Sequence, residues 1–377
     1  MDSILKSARR QTGLGDFGGQ DFREPLSKVL EVARGSDISA LGRVFVRQTM
    51  IRAACNRLWM SEYLKQHPHI RDIEVKRPIF VLGFPRTGTT AIQNLLCQHP
   101  GRRGLQFWEL THPVALHDDP VKDEAKRRRS AQSMLNIGYF IAPEMGEVHE
   151  VRVDTWEECW YLFSNTFQVL NYDLASGMSQ YGDWLLQRNV VEAYREYRTM
   201  LQILLHERPA DNLVLKCPEH LWFLDALLEV FPDACVIWTH RDPYDSIASY
   251  CSLISMGRRS LWGSIDPVRL GADITDRFHL GIQRALEVRE RVGEERFFDV
   301  PFSEFVTDQV GMVGKICSHF DLEAADARRL EQWLQESRMD KRGAHKYSGD
   351  LYGLDAQAIY DRYAAYIERF SVRCRAA

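Results

Sequence analysis

The sequence predicts an α/β protein: a mostly parallel central sheet flanked by helices, built around a phosphate-binding type of loop and carrying a long helical insertion. Three observations carry that prediction. Short apolar runs of strand length alternate with amphipathic helical segments. The first run leads directly into a Gly/Pro/Thr-rich turn and then a helix, in FVLGFPRTGTTAIQNLLCQHP. Residues 110–210 separate that unit from the next strand and read as mostly helical.

Taken in order, residues 1–75 are helical in pattern. PLSKVLEVA and RVFVRQTMIRAACNRLWMSEYLKQ both repeat apolar residues at helical spacing, and His67-Pro68-His69 interrupts them. Pro78 opens the apolar strand IFVLGF, and a helix follows the glycine turn. The insertion contains the charge run KDEAKRRRS, in which Lys126 to Arg129 read as a solvent-facing helix end. It also contains the aromatic run DTWEECWYLFSNTFQVLNY. NLVLKC is a second strand, HLWFLDALLEVF an amphipathic helix ended by Pro232-Asp233, ACVIWTH a third strand and RFFDVPF a fourth. The whole of 1–377 reads as one domain. Residues 76–109 and 211–320 form its α/β core, 110–210 a mostly helical insertion, and 321–377 a helical C-terminal part.

Bulk composition excludes several classes. The 377 residues are 45% hydrophobic and 27% charged, with a net charge of -4. That balance gives no general affinity for nucleic acid, so a polyanionic ligand must be held by a local cluster of positive groups. The eight cysteines form no CxxC pair and no zinc-like spacing with histidine. No metal is expected, and the thiols read as reduced and buried. The first residues lack a hydrophobic leader, and no apolar run approaches the ~18 residues of a membrane span. The expected compartment is the cytoplasm.

Two stretches carry chemistry. In Gly83-Phe84-Pro85-Arg86-Thr87-Gly88-Thr89-Thr90, glycines let the backbone approach an anion, and the following helix adds its positive end. Thr87, Thr89 and Thr90 supply hydroxyls, and Arg86 supplies a forked charged donor. A Walker A loop would carry Lys at position 89, where this chain has Thr, so a P-loop kinase or other NTPase is the disfavoured alternative. The second stretch is His240-Arg241-Asp242-Pro243, directly after the third strand, where α/β sheets place ligands. Arg241 stands ready for a second anionic group, with Ser249 eight residues on. The structural alternative pairs Arg241 with Asp242 or Asp245.

Together, GFPRTGTT and the strand–Arg–eight–Ser unit resemble the sulfotransferase superfamily, which uses 3′-phosphoadenosine 5′-phosphosulfate (PAPS) and releases PAP. RTGTTAIQNLLCQHP is similar to the tyrosylprotein and bacterial branches. LVLKCPEHLWFLDALLEVFPDACVIWTHRDPYDSIASY, TGLGDFGGQDFREPL and KYSGDLYGL resemble the bacterial one. The resemblance implies that residues 85–90 hold the 5′-phosphosulfate, with Pro85, Arg86, Thr87, Gly88, Thr89 and Thr90 around it. It implies that Arg241 and Ser249 hold the 3′-phosphate. Lys341-Arg342-Gly343 is similar to the Arg-Lys-Gly triplet that contacts that phosphate in cytosolic members, with the charge order reversed.

For the reaction, the resemblance implies sulfuryl transfer to a small-molecule hydroxyl, with no metal. Arg86 and Lys216 meet the charge on the leaving phosphate; Lys216 lies 25 residues before Arg241, as the catalytic Lys does in tyrosylprotein sulfotransferases. Three residues compete as the base: Glu109 first, His220 second and His149, beside Glu157 and Glu158, third. Trp156, Trp160, Tyr161, Phe163, Phe167, Tyr172, Tyr181 and Trp184 are either core or the lining of a partly aromatic acceptor pocket. A PAPS-binding protein without activity is the remaining alternative.

Overall fold

The computed structural model describes residues 1–143, 150–337 and 348–375. The chain divides into two compact units. One comprises residues 1–75, 105–209 and 256–265, and the other residues 76–104, 210–255 and 266–377.

The second unit contains the sheet. Its five parallel strands are β1 (Ile79–Gly83), β2 (Arg102–Arg103), β3 (Asn212–Lys216), β4 (Cys235–His240) and β5 (Phe297–Pro301), in the order β2-β3-β1-β4-β5. β1 is central, with Val81 opposite Lys216 of β3 and Gly83 opposite Thr239 of β4. All five residues of β1 and all six of β4 are buried, as expected of strands covered on both faces. The four expected strands are present. β2 is additional. It lies beside β3, and the preceding Gly101 packs against Asp211, where a Cβ would come within 2.1 Å of the carboxylate.

The expected helix over HLWFLDALLEVF is in fact two pieces, a 3-10 turn Pro218–Phe223 and a helix Leu224–Val230. Pro218 sits in the first turn, and the tighter winding buries all six residues of the 3-10 segment. Helix Pro267–Val292 starts on an Asp-Pro step: Asp266 accepts from the amides of Val268 and Arg269. Behind β4, His240 donates or accepts at Asp299 over 2.7 Å and stacks on Phe370 at 3.8 Å. Arg289 forms two 2.7 Å bonds to the same Asp299 carboxylate.

The first unit is helical. Helix Ala40–Gln66 opens with the Ser39 hydroxyl accepting from the Gly42 amide, and helix Pro120–Ile141 repeats the Asp-Pro start. Arg57, nearly buried, reaches Glu196 of helix Val191–Glu207 with two bonds of 2.6 and 2.8 Å. The expected solvent-facing end at Lys126 to Arg129 needs correction at Arg127. That guanidinium is buried, pairs with Asp123 and Glu207 at 2.6 Å each, and lies over the Trp108 ring. Two carboxylates and an aromatic face replace the water it loses. Among the described residues, no helix is long and apolar enough to cross a membrane.

Candidate active site

The glycine loop leaves the C-terminal end of the central strand, and its shape follows from close packing. Gly83 has φ 131°, and a Cβ there would lie 2.4 Å from the Thr239 hydroxyl and 2.6 Å from its carbonyl. Only glycine lets β1 turn this close to β4. Gly88, at φ 85°, caps helix Thr89–Leu96 and faces the Phe305 ring. Between them Arg86 takes φ 68°, a left-handed conformation that costs a side-chain-bearing residue of order 1 kcal/mol or more.

Hydrogen bonds hold that conformation. The buried Thr87 hydroxyl donates to the Phe84 carbonyl at 2.6 Å and lies 2.5 Å from the Thr239 hydroxyl. Thr87 is therefore an internal tie of the loop through its side chain, while Thr89 and Thr90 sit in the first turn of the helix. Arg241 donates from Nη1 to the Arg86 carbonyl at 2.6 Å. It also approaches Asp245 at 3.7 Å and lies over the Phe302 ring at 4.6 Å. Arg241 thus has the ion pair of the structural alternative, and it also stands beside the glycine loop.

Lys216, the last residue of β3, is 1% exposed, and its Nζ donates to the Thr90 hydroxyl at 3.2 Å. A loop arginine, a buried lysine and a second strand-end arginine therefore gather at the C-terminal ends of β1, β3 and β4. Ser249 is buried in helix Pro243–Trp262 after β4. Asp242 anchors the start of that helix, accepting from the Tyr244 amide at 2.8 Å, from the Tyr360 hydroxyl at 2.9 Å and from the Arg375 amide at 3.0 Å.

The three base candidates stand in different surroundings. His220 is buried in the 3-10 turn after β3, edge-on to Phe80 at 5.1 Å, and burial pushes its imidazole down to about 3. It is neutral, and a weak proton acceptor, at any working pH. Glu109 belongs to the helical unit. It is 1% exposed in the short helix Phe107–Thr111 and accepts from the Gln106 amide at 2.8 Å in a capping box. His149 lies outside the described residues, as do Lys341, Arg342 and Gly343.

The aromatic run divides in two. Phe163, Phe167, Tyr172 and Tyr181 are core, whereas Trp156, Trp160, Tyr161 and Trp184 are half-buried. Trp160 stacks on Tyr161 at 3.8 Å, and Tyr161 meets Phe107 edge-on at 5.0 Å. Sequence reasoning missed Thr239 and Phe302. A threonine opposite a strand-end glycine is the one signal that pointed to Thr239, and it is readable only once the strand register is known.

A sequence model of the sulfotransferase family matches residues 78–326. The crystal structure of sulfotransferase STF1 from Mycobacterium tuberculosis is similar to this chain with a TM-score of 0.85 and 30% identity, over 97% of this chain and 98% of that one. The crystal structure of sulfotransferase STF9 from Mycobacterium avium gives 0.84 and 27%, over 100% and 98%. Over 302 residues the chain is 24% identical to the omega-hydroxy-beta-dihydromenaquinone-9 sulfotransferase Stf3 of Mycobacterium tuberculosis, covering 76% of this chain and 72% of that one.

Proposed function

This chain belongs to the sulfotransferase family, and from that premise we propose that it moves the sulfuryl group of PAPS to a hydroxyl of an apolar small molecule. The acceptor class follows the menaquinone derivative for which a 24% identical relative is named. The half-buried Trp156, Trp160, Tyr161 and Trp184 fit an apolar or aromatic acceptor of that kind. The eight cysteines, seven of them buried, suit a reducing cytoplasm.

The residues present fit such a donor. A left-handed loop with two glycines, ending in a helix N-terminus, suits one anionic group. The strand-end Arg241 with Ser249 after it suits a second. One observation carries the reading: Arg241 grips the carbonyl of Arg86 at 2.6 Å, so the two cradles are tied to each other. PAPS would supply an activated sulfuryl group and a phosphate leaving group.

In the proposed roles, Arg86 and Lys216 stabilise charge that builds on the departing phosphate oxygen. Thr90 positions Lys216. The acceptor oxygen forms the new S–O bond as the bond to phosphate breaks, and its proton passes to a carboxylate or imidazole of the protein. We place Glu109 first in that role, because burial leaves His220 a weak base.

Titration calorimetry with PAP in the absence of magnesium tests the donor. Micromolar binding without metal is expected, and binding only of ATP with magnesium would overturn the reading. Transfer of labelled sulfate to a hydroxylated menaquinone analogue separates an active enzyme from an inert binder.

A further inference from the structure

The helical unit carries a basic pocket that none of the proposed chemistry uses. Its volume is about 220 Å³, and it lies among helices Asp2–Thr12, Arg23–Gly35 and Ala40–Gln66. Arg34, Arg43 and Arg47 line it, over apolar side chains that include Ile4, Leu30 and Val46. Among the described residues, no carboxylate lines it. Arg43 and Arg47 are one helical turn apart and partly fixed. Arg43 donates to the carbonyls of Ile38 and Ser36 at 3.2 Å each, and Arg47 to the Ser7 hydroxyl at 3.3 Å. Each guanidinium has five N–H donors, so both retain donors for an outside acceptor.

Next to these arginines the same helix presents Leu41, Val44 and Phe45, all exposed, at i, i+3 and i+4 on one face. Val44 is 55% exposed. A second exposed pair, Ile137 and Phe140, ends helix Pro120–Ile141, and Phe140 is 89% exposed. The two helix ends share one corner. The Ser39 amide donates to the Leu261 carbonyl at 3.0 Å, and the neighbouring Ser260 hydroxyl donates to the Ile141 carbonyl at 3.3 Å. Large apolar side chains and a carboxylate-free arginine pocket thus occupy adjacent surface.

We infer that this face docks on an anionic lipid bilayer. Arg34, Arg43 and Arg47 take lipid phosphates, while Val44, Phe45 and Phe140 enter the headgroup–acyl boundary. An exposed apolar stripe alone would not select an occupant. The three guanidiniums beside it require a surface that is negatively charged and apolar within one side-chain length, which an anionic membrane supplies. A soluble phosphate would satisfy the arginines and leave the apolar residues in water. The inference is independent of the identity of the sulfuryl acceptor.

Co-sedimentation of the full chain with vesicles tests it. Partition into phosphatidylglycerol-containing vesicles, its absence with pure phosphatidylcholine, and at least ten-fold weakening in Arg34→Gln/Arg47→Gln are expected. Val44→Ser/Phe45→Ser is expected to weaken partition as well, and Arg47→Lys to restore most of it. Circular dichroism and thermal midpoints establish that each variant is folded. Lack of partition by the parent chain would overturn the inference, as would equal partition by all folded variants. Binding of soluble glycerophosphate without any vesicle binding would also overturn it.

Discussion

Nη1 of Arg241 lies 2.6 Å from the main-chain oxygen of Arg86, so a side chain from the end of β4 holds the glycine loop that follows β1. The bond meets Arg86 where its backbone is left-handed. Replacing Arg241 therefore removes a restraint on the loop and, in the role proposed for it, a ligand to the donor. Arg241→Lys keeps the charge but loses the fork. An affinity for PAP about 10²-fold weaker is expected by calorimetry, corresponding to ~2–3 kcal/mol. An unchanged affinity would remove Arg241 from the site.

Lys216 and Thr90 give a graded test. With Lys216→Ala, kcat is expected to fall on the order of 10²–10³-fold with little change in KM, as its proposed action on the leaving group requires. Thr90→Val leaves the lysine in place without its 3.2 Å partner, and a loss of roughly ten-fold is expected. Steady-state kinetics on both variants read the difference.

Glu109 has a structural job that must be separated from a chemical one. Its carboxylate accepts from the Gln106 amide. Glu109→Gln keeps an acceptor there and removes the carboxylate proposed as the base, so a folded protein with a large loss of kcat is expected. Glu109→Ala removes both and is expected to lower stability by ~1 kcal/mol as well. If Glu109→Gln turns over normally while a folded His220→Asn variant does not, the assignment of the base reverses.

Buried histidines set the acid side of stability. Burial pushes His220 down to about 3; burial, then the charges of Arg52 and Arg127, push His112 down to about 4. Both folded values lie below the unfolded value near 6.5. Below that value the unfolded chain binds protons that the folded chain refuses. Their contribution is therefore complete above about pH 6.5 and shrinks as pH falls toward 4, by roughly 3 kcal/mol per group. Asp299 behaves differently. Burial alone would raise it, but bonds from Arg289 and His240 outweigh burial and hold it at about 2. Its contribution is complete above the unfolded carboxylate value near 4 and is lost as pH falls from there toward about 2. Urea unfolding between pH 7 and 4 should show stability falling, with a shallower slope in folded His220→Asn.

Gly83 offers a test of packing. With Thr239 atoms 2.4–2.6 Å from any added Cβ, Gly83→Ala must push β1 and β4 apart or distort the loop. A loss of ~2–3 kcal/mol is expected by denaturant titration, together with loss of PAP binding.

Much of the sheet was legible because buried parallel strands announce themselves as short apolar runs before a turn. NLVLK and CVIWTH do so, whereas FFDVP carries a charge and is only partly buried. β2 was not legible: two arginines carry no periodicity, and their strand is defined by pairing with Asn212 and Leu213 of β3, more than a hundred residues away. The loop residues were legible from their spacing, since glycine and strand-end arginine have few other reasons to recur together. The environment of His220 was not, because a histidine in a turn reads the same whether Phe80 or water lies against it. Arg127 failed likewise. Its partners Asp123 and Glu207 are far apart in sequence, and only the fold brings both carboxylates to it.

The twisted backbone at Arg86 sets a conflict between durability and catalysis. Glycine or asparagine would sit there more comfortably, so variants selected for heat resistance alone should converge on that position. They would gain robustness by discarding the guanidinium proposed to meet the charge on the departing phosphate. A site whose most stabilising replacement disables it cannot drift toward greater hardiness while its chemistry is under selection.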